Sequence, residues 1–183
     1  NYSVGRSFIR EGRPLTPEES QNAGYYVVTP GYFRALRVPL LQGREFDERD
    51  RADSAKVVVV NETLARKHFA GEDPLGKRLR VWRDEQFERE VVGVVGDVKP
   101  DTLDEEMGPQ LYVPHQQDAG WGALSVAVRT QGDPTSLAGP LRGEVRALDR
   151  GQPVFDVKTL EDVVAASMAD RKLSLVLLAA FAG

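Results

Sequence analysis

A chain of 183 residues with 41% hydrophobic content has enough apolar material for one packed domain or two small ones, and too much for a disordered segment. Lys and Arg total 24 against 28 Asp and Glu, and the resulting net charge of −4 argues against a nucleic-acid groove, which needs a basic surface. There is no cysteine, which excludes disulfides, thiolate zinc sites and cysteine nucleophiles and leaves the compartment open.

In chain order, Asn1 to Gln21 is polar and broken by Gly12, Pro14 and Pro17, with Ser7 to Arg10 expected as a short edge strand. Asn1 to Arg13 has no apolar core of a secretory signal, and a chain that opens on Asn is expected to be a fragment of something longer. Tyr25 to Val28 reads as a strand that runs into a helix through Leu36, with Thr29 as cap and Pro30 at the first helical position. The rings of Tyr25, Tyr26, Tyr32 and Phe33 around that turn read as core. Asp47 to Asp53 interleaves carboxylates with arginines and lacks the glycine and terminal glutamate of a calcium loop, so it reads as a solvated, self-neutralising turn. Val57 to Val60 do not alternate and predict a strand buried on both faces; Asn61 caps the next helix, with Glu62 placed against its dipole. A strand–helix unit used twice implies a layered α/β core.

The character changes near Asp73. Lys77 to Trp82, Glu88 to Val95 and Leu111 to His115 read as strands, Gly93 as a bulge or close backbone approach, and Asp101 to Glu106 as a loop. The α/β pattern then resumes with an alternating strand, Leu124 to Arg129. A helix follows from near Ser136, with Pro140 in its first turn and Leu137, Leu141, Val145 and Leu148 at helical spacing. Val154 to Val157 reads as a strand, and Thr159 to Asp162 as a capping-box variant opening a helix with Leu160, Val163, Val164, Ser167 and Met168 on one face. Leu173 to Gly183 is apolar all round and follows Arg171 and Lys172. It is shorter than the roughly 20 residues that span a bilayer and reads as the start of a transmembrane helix.

No chemistry stands out. Gly71 to Lys77 matches seven places of a phosphate-binding loop, but the eighth is Arg78 where a magnesium-binding hydroxyl belongs, and the stretch follows a helix; it reads as a turn. The histidines, His68 and His115, lie far apart, and His68 shares the Leu64 face of its helix. Neither a Gly-x-Ser-x-Gly elbow nor a Ser-x-x-Lys pair occurs. We therefore assign no catalytic, cofactor-binding or metal-binding residue and expect no enzyme activity and no cofactor.

A series of motifs carries a resemblance. Val28-Thr29-Pro30-Gly31-Tyr32-Phe33-Arg34-Ala35-Leu36, Pro39 to Phe46, Val59 to Ala65, Asp73 to Lys77, Val92 to Val98 and Leu111 to Pro114 occur in the order found in the MacB-like periplasmic core domain of ABC-transporter permeases, which the chain resembles from about Tyr25 to Phe181. The resemblance implies a periplasmic domain of a bacterial inner-membrane protein, lying between two transmembrane helices at the edge of an FtsX-like permease region. It also implies a mixed α/β (α+β) fold: a porter-like lobe of βαβ repeats over 1–72 and 120–172, a small β-rich lobe inserted over 73–119, and a transmembrane helix starting at 173–183.

The function so implied is non-catalytic: relaying an ATP-driven conformational change across the membrane for efflux or export. The implied partners are the chain's own transmembrane permease region, a cytoplasmic ABC ATPase, a periplasmic membrane-fusion adaptor and a second copy or pseudo-copy of the domain, with no nucleic acid. A periplasmic module that captures a transported small molecule or peptide is the alternative, and a stand-alone hydrolase a more distant one.

Overall fold

Seven strands, three helices and the start of a further helix at 160–165 organise the described residues of the computed structural model, which are 4–11, 21–81, 88–98, 107–120 and 123–165. The strands are β1 (Val4–Arg10), β2 (Gln21–Val28), β3 (Leu40–Gly43), β4 (Val57–Asn61), β5 (Arg78–Val81), β6 (Glu88–Val95) and β7 (Gln110–Pro114). The helices are α1 (Tyr32–Leu36), α2 (Glu62–His68) and α3 (Ala138–Leu148).

The strands form one sheet in the order β3-β6-β4-β7-β2-β1-β5, and β5 also pairs with β6. Six strands therefore close into a barrel, and β3 is added outside the ring. β6 accommodates both neighbours on one edge by pairing its start, residues 88 to 90, with β5 and its end, residues 93 to 95, with β3. Closure leaves β1 paired on both sides, with β2 and with β5, so the Ser7 to Arg10 strand is not the edge expected of it. The sheet alternates apolar residues on two faces. Phe8, Tyr25, Val58, Val60, Leu79, Val81, Val91, Val94, Leu111 and Val113 form one buried cluster inside the ring, which α2 completes with Leu64 and the following Phe69. Outside it, Tyr26, Val28, Val57, Val59, Val95 and Tyr112 meet Phe33 of α1 and Phe46. The four valines of β4 are thus split two and two between cores, as their unbroken run predicts.

This placement differs from an inserted lobe over 73–119. β6 and β7 flank β4 in the same sheet, and among the described residues a first compact unit extends to Ala127 and a second begins at Val128. Apolar patterning shows which faces of β4, β6 and β7 are buried, but not which strand lies beside which. The composition change near Asp73 marks only the turn between α2 and β5.

Local chemistry explains the helix starts. The backbone N–H of Tyr32 donates to Thr29 O at 3.2 Å, and Gly31 sits at φ 84°, ψ −3°. Pro30 and Gly31 are thus the central pair of a type II turn. Helix α1 starts at Tyr32 with Gly31 as its cap, and Thr29 makes no side-chain cap. Asn61 does cap α2, its Oδ1 accepting from Leu64 N at 3.0 Å.

In the second unit a 3₁₀ turn, Pro134–Leu137, capped by Asp133, leads into α3 with Pro140 in the first turn. Thr159 and Asp162 cap reciprocally, Thr159 Oγ1 accepting from Asp162 N at 3.0 Å and Asp162 Oδ2 accepting from Thr159 N at 3.2 Å, as the sequence predicts. Leu124 to Arg129 and Val154 to Val157 are irregular rather than strands, and Leu124 is 79% exposed. The alternation of Leu124 to Arg129 is real, but a strand exists only against a paired neighbour, and none of the described residues pairs with either segment. Among the described residues no helix is long and apolar enough to cross a membrane; Asp101 to Glu106 and the run from 173 lie outside those residues.

Candidate functional site

The two ends of the barrel are tied by different polar knots. At the end where β4 begins, the chain leaves β7 through a 3₁₀ turn, His115–Gln117, and the amide of Gln117 enters the structure. Its Oε1 accepts from Val57 N at 3.0 Å and from Arg89 Nη1 at 3.1 Å. Its Nε2 donates to Arg51 O, Ser54 Oγ and Ala55 O at 3.0–3.2 Å. One side chain thereby joins β4, β6 and the loop before β4 to the segment that leaves the barrel. Arg89, 1% exposed, sits on the inward face of β6 with Val91. The next residue, Asp118, accepts from the Tyr25 hydroxyl at 2.7 Å. Burial holds that phenol above its ordinary range against the opposing charge of Arg89, and the hydrogen bond to Asp118 adds to the effect.

At the other end, Asn61 and Asp97 form the centre. Asn61 Nδ2 donates to Asp97 Oδ1 at 2.7 Å and to Gly108 O at 3.0 Å, while its Oδ1 accepts from Gln110 N at 2.8 Å as well as from Leu64 N. Asp97 also receives Thr63 N and Thr63 Oγ1, at 3.0 and 2.7 Å. Gln110 continues the network, accepting from the buried Tyr112 hydroxyl at 2.8 Å and donating to Val98 O at 2.7 Å. The ends of β4 and β6 and the start of β7 are locked by groups that satisfy one another, as burial of polar atoms requires.

A brace holds β3 to β6. Gly93 interrupts the β4–β6 register, and a Cβ there would strike Arg44 O; a Cβ on Gly43, at φ 72°, would strike Val92 O. Only glycine permits this crossing. Arg44 then makes a two-point pair with Asp50, both contacts at 2.8 Å, and Asp50 is only 4% exposed. The Asp47 to Asp53 stretch is thus partly the solvated turn expected, where the exposed Arg49 clasps Asp47, and partly an anchor buried at Asp50.

The residues resembling a phosphate loop form the turn between α2 and β5. Asp73 Oδ1 accepts from Leu75 N at 3.0 Å, and Gly71 and Gly76 have positive φ. Lys77 lies 3.4 Å from Glu72 Oε2, which Arg10 Nη2 also reaches at 2.8 Å. His68 packs edge-on against Phe8 with centroids 5.1 Å apart, while its carbonyl accepts from Arg10. Among the described residues no three His, Asp or Glu side chains gather in a way that could hold a metal ion.

The sequence marks Asn61, Gly93, the motif block that contains Asp97 and the Asp47 to Asp53 stretch that contains Asp50, but assigns no role to Asp97 or Asp50 and does not single out Gln117 or Arg89. One signal was available for Arg89: in the alternating strand Glu88 to Val95 it occupies the inward position two before Val91.

The sequence model of the MacB-like periplasmic core domain matches residues 2–147, which include both knots and the brace. The chain belongs to that family. Among MacB relatives, the macrolide export ATP-binding/permease protein of Neisseria gonorrhoeae is 37% identical over 104 residues, covering 52% of this chain and 15% of that protein. The protein of the same name from Syntrophobacter fumaroxidans is 37% identical over 59 residues, 32% of this chain and 8% of its own length. The chain therefore spans a small part of the relatives it matches. The periplasmic region of MacB from Actinobacillus actinomycetemcomitans shares the fold with TM-score 0.58 at 24% identity, over 81% of this chain and 64% of that one. The extracellular domain of the ABC-type transporter YknZ from Gram-positive bacteria does so with TM-score 0.52 at 17% identity, over 82% and 74%. The mixed α+β architecture is thus that of MacB-like periplasmic domains.

Proposed function

We propose that this MacB-like periplasmic core domain acts as a non-catalytic relay in a bacterial inner-membrane transporter, carrying an ATP-driven change across the membrane for efflux or export. The observation that carries this reading is the Gln117 clamp, which fixes the segment leaving the barrel to β4 and β6 at once. A displacement applied to that segment moves the barrel as a body, because packed elements shift rigidly and do not deform smoothly.

In this reading the apolar run from Leu173 begins a transmembrane helix of the permease region. ATP is hydrolysed by a separate cytoplasmic ABC domain or chain. A second copy or pseudo-copy of the domain and a membrane-fusion adaptor complete the assembly. The domain itself holds no catalytic, cofactor or metal site. Supporting this, its polar knots are spent on one another: Asp97 and Asn61 are engaged from several directions, and Lys77 of the loop that resembles a phosphate site faces Glu72. The test is to insert flexible glycines around Ala169 and Asp170 in the whole transporter and measure export and ATP hydrolysis together. Retained hydrolysis with lost export is expected; export at the wild-type level contradicts a relay through this connection.

A further inference from the structure

Closure of the barrel leaves one open sheet edge among the described residues, the outer edge of β3, since every other strand is paired on both sides. Free edges in soluble proteins are usually protected by charge. β3 carries none: it reads Leu-Leu-Gln-Gly, and all four residues are exposed. Leu40 and Leu41, 39% and 46% exposed, are also the only large hydrophobic residues exposed among the described residues up to Gly120. The register shift between Leu40 and Gln42 marks a bulge, and Pro39, which has no N–H, ends the edge on one side; the pairing surface is therefore short.

The segment that leads into that edge is cationic in sequence although the chain is acidic. From Gly31 to Arg44 there are three arginines and no carboxylate. Arg44 is engaged by Asp50; Arg34, 80% exposed, makes a looser ion pair with Glu45 at 3.7 Å, and Arg37 is exposed in a left-handed conformation, φ 56°. An open backbone edge, two exposed leucines and two exposed guanidiniums lie within the ten residues from Arg34 to Gly43.

We propose that the outer edge of β3 is a docking site for a short extended segment of a partner protein. The segment adds to β3 as a strand, sets apolar side chains against Leu40 and Leu41, and carries carboxylates toward Arg34 and Arg37. Main-chain pairing supplies the register and the two arginines select an acidic sequence. A second copy of this chain fits less well. It carries a net charge of −4 overall, but its own β3 region presents arginines to the arginines here, and a four-residue edge against its twin buries far less than a stable dimer needs.

The test uses the 183-residue chain and two fluorescein-labelled, end-capped octapeptides of alternating valine and threonine, one ending in two aspartates and the other in two lysines. Anisotropy should show binding of the aspartate peptide at submillimolar concentration, at least tenfold tighter than the lysine peptide. Leu41→Asp and, independently, Arg37→Glu should each weaken it at least fivefold, with unchanged melting. Arg37→Glu keeps the test decisive if Leu41→Asp fails to fold. Equal binding of the two peptides, no binding of either, or full retention in Arg37→Glu overturns the proposal. So does concentration-dependent dimerisation abolished by Leu41→Asp, because the edge would then be occupied by a second copy.

Discussion

The side-chain amide of Gln117 accepts the backbone N–H of Val57 at 3.0 Å, across sixty residues of sequence and at the first residue of a strand buried along its whole length. Val57 is 5% exposed and Gln117 itself only 9%. Truncation in Gln117→Ala should therefore cost about 2–3 kcal/mol, the penalty for stranding buried donors and acceptors. Urea unfolding should show a lowered midpoint with little change in slope. A midpoint equal to wild type would show that the knot does not hold the barrel's end.

Glycine is required where β3 crosses β6, and a side chain is tolerated at Gly5. Gly93→Ala places a methyl against Arg44 O and should cost about 3 kcal/mol through strain and backbone displacement. Gly5→Ala, with nothing within 4 Å of the added carbon, should change stability by no more than about 0.5 kcal/mol. Thermal melts of the pair check this directly. Equal effects would place the strain somewhere other than the crossing.

Asn61 donates to Asp97, so Asn61→Asp sets two carboxylates against each other. The repulsion raises the carboxyl pKa of the pair in the folded state, which then holds a proton that the unfolded chain gives up. The variant should be strongly destabilised at neutral pH and should recover part of the loss as the pH falls toward 5. Denaturation midpoints from pH 7.5 to 5 measure it. A deficit independent of pH would mean that Asp97 is not the group Asn61 serves.

His68 gives a pH dependence of the opposite sign. Burial, and then the charges of Lys67 and Arg10, hold its pKa below the ordinary value. The unfolded chain takes up the proton first, so stability present above about pH 6.5 is lost as the pH falls through the lower folded value. His68→Phe keeps an aromatic ring against Phe8 and removes the titration. Its stability should fall less than that of wild type between pH 7 and 5, and parallel profiles would contradict the assignment.

Calorimetry with ATP and magnesium should show no binding in the micromolar range. The turn from Gly71 to Arg78 places Glu72 against Lys77 and uses Asp73 to cap Leu75. Micromolar affinity would contradict the non-catalytic reading.

Much of this fold is legible in the sequence because the signals are local. The Val57 to Val60 run, the Asn61 cap, the Thr159–Asp162 box and the Gly93 irregularity each follow from a few adjacent residues. Strand neighbours are not local. The pairing of β5 with β6 that closes the barrel rests on three residue pairs and has no composition signature. The Pro30–Gly31 turn shows two local rules in competition, a proline at a helix start and a Pro-Gly type II turn, and Gly31 at φ 84° decides for the second. Gln117 was illegible because its partners, Val57, Arg89 and the carbonyls of the preceding loop, come together only once the barrel has formed.

The relay is tested most directly by motion outside the membrane. The chain has no cysteine, so Glu62→Cys, at the exposed first residue of α2, gives one spin-label site per copy of this domain in a full-length transporter otherwise cleared of cysteine. Pulsed electron–electron resonance then reads the distance between the domains with and without trapped ATP. A relay predicts two distinct distance distributions, with the shift lost when glycines are inserted around Ala169 and Asp170. One unchanged distribution in both nucleotide states of an export-competent transporter would contradict it.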